Sequence, residues 1–175
     1  MEPAQARPSP AGERRGDAAE RLEHARAVAW RALDRRDRTE LELRGILAGK
    51  RVAPEEAQVV LEELLEGGFV DDASYALRFA DDRRRLDAWG SDRIERKLRQ
   101  LGVAPEHIAA ALAERPPEDE LEAALALLRR RVPEPPATPR ERDRALGILV
   151  RKGYDLELAY DALRRHAGAD GDSWE

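Results

Sequence analysis

The chain has 175 residues, of which 42% are apolar and 38% charged, with no cysteine and a net charge of −5. The missing cysteines exclude disulfides, thiol nucleophiles and cysteine metal sites, and no apolar run is long enough to span a membrane. The acidic balance excludes a general polycation drawn to nucleic acid by bulk charge. Ala, Leu, Arg and Glu dominate while aromatic and β-branched residues are few, a composition that predicts an all-α fold.

The opening "MEPAQARPSPAGERRGDAAE" is polar and contains prolines, without the apolar centre of a signal peptide. It reads as a disordered tail over residues 1–20, and a cytoplasmic location is expected. The first helix is predicted from about Leu22 to Arg36. After it comes "VAPEEAQVVL" from Val52, which returns as "VAPEHIAAAL" from Val103 and, more worn, as "YDLELAYDAL" from Tyr154, with 51 residues between successive starts. A fixed spacing held twice predicts a repeated structural unit.

The match extends upstream, where Leu47, Leu98 and Leu149 correspond, as do Leu43, Ile94 and Ala145. Downstream, Ala57, Val60 and Leu61 match Ile108, Ala111 and Leu112, and then Ala159, Ala162 and Leu163. Offsets of three and four place each set on one helix face. Between the paired helices, Gly102 and Gly153 suit the left-handed residue past a helix end, and Pro54 and Pro105 suit the first turn of the next helix. Tyr154 fills the slot of Val52 and Val103 and is expected in the core. A further helix precedes each pair, over about Asp72 to Ala88 in the second unit and Pro117 to Arg131 in the third.

The sequence thus predicts three tandem three-helix repeats, over 21–70, 71–116 and 117–167, with a second disordered tail over 168–175. Stacked units of this size form an elongated, curved array, turning to the right or to the left.

No constellation for catalysis stands out. His24, His107 and His166 form no H-E-x-x-H pair and read as solvated surface residues; "LEGGFV" lacks the Lys and Ser/Thr of a phosphate loop. Glu55, Glu56, Asp71 and Asp72 sit at predicted helix starts, where they complement the dipole. No enzyme activity, metal or cofactor is expected. What remains is surface. The second repeat gathers Arg83, Arg84, Arg93, Arg96 and Lys97, which could face phosphates or carboxylates, although interleaved carboxylates also fit a plain solvated face. Trp89, at a helix-to-loop junction, reads as a lid over a small core or as a contact residue. Arg151 and Lys152 form a weaker second set.

Two stretches, "GGFVDDASYALRFADDRRR" and "WGSDRIERKLRQLGV", resemble the RecX family of recombination regulators. The shared positions are Gly68, Phe69, Val70, Asp71, Asp72, Tyr75, Trp89, Gly90, Ile94, Leu98, Gly102 and Val103. "ALDRRDRTELELRGIL" resembles the family's opening motif and "LVRKGYDLELAYDAL" its closing one, so the likeness covers residues 23 to 166. The resemblance implies a non-enzymatic regulator that binds the RecA filament on single-stranded DNA. It would restrain ATP hydrolysis, strand exchange and co-protease activity. A monomer is expected, with possible weak direct DNA contact and none with membrane. A helical DNA-binding module and a scaffold unrelated to recombination stand as alternatives. The acidic or apolar third helices count against the first, since a recognition helix of that charge repels phosphates.

Overall fold

The computed structural model describes residues 10–168. Among them there are nine α-helices and no strand, in the order α1 (Pro10–Leu33), α2 (Glu40–Gly49), α3 (Pro54–Glu66), α4 (Asp72–Asp87), α5 (Ser91–Gln100), α6 (Pro105–Ala113), α7 (Pro117–Arg131), α8 (Pro139–Lys152) and α9 (Leu156–His166). The chain divides into two compact units after Asp71.

In the first unit α1, α2 and α3 pack on one another. Ala25, Val28, Ala29 and Ala32 line one face of α1 and meet Leu43 and Leu47 of α2 and Val60, Leu61 and Leu64 of α3. Thr39 starts α2 with a reciprocal cap. Its hydroxyl accepts from the Glu42 N–H at 3.2 Å, and its own N–H donates to Glu42 Oε2 at 3.3 Å.

α1 begins at Pro10, earlier than the expected start at about Leu22. That stretch is polar but rich in helix formers, and Pro10 occupies the first helical position. Arg21, just before the expected start, pairs with Glu56 of α3 at 2.8 Å. The remainder of the two expected tails, 1–9 and 169–175, lies outside the described residues.

The second unit holds two further three-helix sets. Ala76, Ala80, Ile94, Leu98, Val103, Ile108 and Ala111 form the core of α4, α5 and α6. Ala124, Leu125, Leu127, Leu128, Ala145, Leu149, Tyr154, Ala159, Ala162 and Leu163 form that of α7, α8 and α9. The equivalent positions Leu47, Leu98 and Leu149 are all fully buried, as are Leu43, Ile94 and Ala145. Tyr154 is buried as its slot predicts. α7 carries Glu118, Asp119 and Glu120 in its first turn and Arg129, Arg130 and Arg131 in its last. Those charges complement the helix dipole at both ends, which accounts for that arginine cluster without a ligand.

Candidate interaction surface

α5, with the sequence "SDRIERKLRQ", buries Ile94 and Leu98 and turns Arg96, Lys97, Arg99 and Gln100 to solvent. The turn that delivers it is built from Ala88, in the left-handed region with φ 51°, and from Trp89, whose N–H donates to Arg83 O at 3.1 Å. Trp89 lies half-buried on the repeat 2 core, edge-to-face with Phe79 at a centroid distance of 6.2 Å. The Arg93 guanidinium sits 4.2 Å above the indole, and Arg83 approaches the same ring at 5.7 Å. An indole attracts a cation to its face, so Trp89 both closes the core and holds Arg93.

Beside this stack runs an open groove of about 430 Å³ lined by Trp89, Arg93, Arg96, Lys97, Gln100 and Arg151. Four of its six lining residues are cationic and none is a carboxylate. Arg93 also donates to the Arg151 carbonyl at 2.9 Å, which ties α5 to the end of α8. On the other flank of α5, Asp92, Glu95, Arg96, Arg99, Val150, Tyr154 and Leu156 line a mixed groove. Burial, and then the nearby charges of Asp155 and Glu95, raise the Asp92 carboxyl above its ordinary value.

Five of the eight residues singled out from the sequence therefore meet in one place: Trp89, Arg93, Arg96, Lys97 and Arg151. Arg83 stands behind them, half-buried, paired with Asp87 and lying over Phe79 and Trp89.

Arg84 does not join the surface. It is 9% exposed and donates to the Ala111 and Leu112 carbonyls at 3.3 and 3.0 Å, so it caps the end of α6. Burial, and then the charge of Arg115, lower its pKa. Lys152 likewise turns inward, its ammonium donating to Asp87 O at 2.6 Å at the end of α4. His166 is not a plain surface histidine either, since its Nε2 lies 2.7 Å from Val132 O and is half-buried. Among the described residues no group of three His, Cys, Asp or Glu is placed to hold a metal ion, and no helix is long and apolar enough to cross a membrane.

Sequence reading missed Ser91 and Glu120. Ser91 donates to Glu120 through both its N–H and its hydroxyl, at 2.7 and 2.6 Å. The available signal was Gly90, which stands at the N-cap of α5 where the first repeat has Thr39.

Two family models match the chain, the first three-helix domain of RecX over 25–64 and the second over 71–112. The regulatory protein RecX of Thermobifida fusca is 34% identical over 149 residues, covering 84% of this chain and 80% of that protein. The chain belongs to the RecX family. The regulatory protein RecX of Trichlorobacter lovleyi is 40% identical over 75% of this chain and 88% of its own, and that of Deinococcus radiodurans 36% identical over 85% and 71%. The crystal structure of RecX from Lactobacillus salivarius superposes with a TM-score of 0.75 at 16% identity, over 84% of this chain and 97% of that one. That agreement concerns the fold alone. The groove falls in the second RecX domain and borders the third helix set, beyond both family models.

Proposed function

We propose that this RecX-family protein is a non-enzymatic regulator of the RecA recombinase. It binds the RecA filament on single-stranded DNA in the cytoplasm as a monomer and restrains ATP hydrolysis, strand exchange and co-protease activity. The groove beside α5 is the contact surface. The observation that carries this reading is the composition of its lining, four cations and an indole with no carboxylate, on a chain whose net charge is −5. A positive site on an acidic body attracts an anionic partner to one place and repels it elsewhere. Because Arg93 already covers the Trp89 face at 4.2 Å, the groove suits carboxylates or phosphates rather than a base stacked on the indole.

The test is RecA-catalysed, single-stranded-DNA-dependent ATP hydrolysis titrated with this protein at substoichiometric ratios. Suppression below one copy per RecA is expected. The double variant Arg93→Glu, Lys97→Glu should keep its helix content and need at least about ten-fold more protein for the same suppression. Unchanged suppression by that folded variant would remove the groove from the contact. Retention on single-stranded DNA without RecA, weakening steeply with salt, would point to a DNA-binding module instead.

A further inference from the structure

The start of α5 satisfies none of its backbone donors from its own repeat. Gly90 N–H donates to Lys152 O at 2.9 Å and Asp92 N–H to Gly153 O at 3.1 Å, while Ser91 N–H is taken by Glu120. Three consecutive amides at a helix N-terminus are thus capped by α7 and by the turn after α8. The carbonyls left over at the end of one helix face the N–H groups left over at the start of another, a favourable meeting of opposite partial charges.

Gly90 is needed for space, not for conformation. Its φ of −81° and ψ of 167° lie close to the −76° and 162° of Thr39 at the equivalent cap, and any residue adopts them. A Cβ on Gly90, however, would lie 2.3 Å from Gly153 O and 2.5 Å from Tyr154 N. A Cβ on Gly153 would in turn lie 2.3 Å from the Arg93 Cβ and 2.5 Å from its N. The third helix set therefore presses its turn directly against the residue that carries the groove's central guanidinium. Arg151 O then takes one arm of that guanidinium, Lys152 closes the end of α4, and Ala88 packs on the third core.

We infer that Gly90, Ser91, Glu120, Lys152 and Gly153 are positioning residues, which lock repeat 3 onto repeat 2 and so hold Arg93 over Trp89 in the form that meets the partner. The groove is accordingly a joint product of two repeats, and Lys152 acts through the fold rather than by touching the filament. The partner side of this inference rests on the proposed function; the docking does not.

The decisive variant is Gly90→Ala, whose backbone angles alanine adopts and whose closest Cβ neighbours all belong to repeat 3. Amide hydrogen exchange, residue by residue, should show Asp92 exchanging at least about ten-fold faster while Leu98 inside α5 stays protected. The concentration needed to suppress RecA ATP hydrolysis should rise about ten-fold, because a pre-set guanidinium becomes mobile. Glu120→Gln, which keeps the shape and weakens the Ser91 contacts, should move both readouts the same way by less. Unchanged exchange at Asp92 would overturn the docking role. Faster exchange with full suppression would overturn the positioning role. A wild-type chain that never restrains RecA would overturn the functional reading, and amide exchange would then decide the docking alone.

Discussion

Position 51 of the first repeat matches Gly102 and Gly153 of the other two, and all three adopt left-handed backbone, with φ of 61°, 82° and 84°. In the first repeat the residue is Arg51, whose Cβ makes that conformation costly by about 1 kcal/mol. Part of the relief on replacement is offset by the greater freedom glycine has in the unfolded chain. Arg51→Gly should therefore stabilise the first unit by about 0.5 kcal/mol, read as a higher urea midpoint with an unchanged slope. Arg84 teaches a different lesson at the same scale. Within the run Arg83-Arg84-Arg85 the middle side chain points at the core and finds carbonyls at the end of α6, while its neighbours pair with Asp87 and Asp81.

At the scale of the element, the starts of the second helices are solved in different ways. α2 and α8 use Thr–Glu boxes, Thr39 with Glu42 and Thr138 with Glu141, whereas α5 is capped from another repeat. Thr39 is fully buried, and Thr39→Ala should cost the first unit about 1–2 kcal/mol in chemical denaturation. Glu42 adds a pH dependence. Burial raises its carboxyl, but the hydrogen bonds from Arg36 and from the Thr39 N–H, with the charges of Arg36 and Arg38, outweigh it and hold the group below its ordinary 4.5. A carboxyl that titrates lower when folded contributes stability above about pH 4.5 and loses it as pH falls through the folded value. The first unit should lose stability on acidification below that point, and Glu42→Gln should flatten the loss in a pH series of urea midpoints.

At the scale of the whole molecule, the chain divides after Asp71, and the second unit owns both the groove and the contacts that shape it. Its two cores need no residue from the first unit. A fragment over residues 72–168 should fold on its own, with helical circular dichroism and a single cooperative transition. Loss of Asp92 amide protection in that fragment would show that the first unit contributes to the docking. The net charge of −5 belongs to the whole chain, while the groove concentrates four cations. On the proposed reading, recognition is governed by where charges fall rather than by their sum.

By itself the sequence determined the helical class, the repeat and its period, because helix propensity and spacing of apolar residues act locally and return at 52, 103 and 154. It also marked the turns at Gly102 and Gly153 and the helix starts at Pro54 and Pro105, since left-handed backbone favours Gly and the first helical position favours Pro. It misplaced the start of α1, because a polar stretch carries no apolar face to mark it, although its helix formers suffice beside Glu56. Which cations would reach a partner was decided only by tertiary structure. Arg84 and Lys152 look like Arg96 and Lys97 in a string of letters, yet the first two meet orphaned helix-end carbonyls and the second two meet solvent. The reason is that each outcome depends on which helix end packs beside the side chain: α6 of the same repeat for Arg84, α4 of the neighbouring repeat for Lys152, an approach that the missing Cβ atoms of Gly90 and Gly153 make room for.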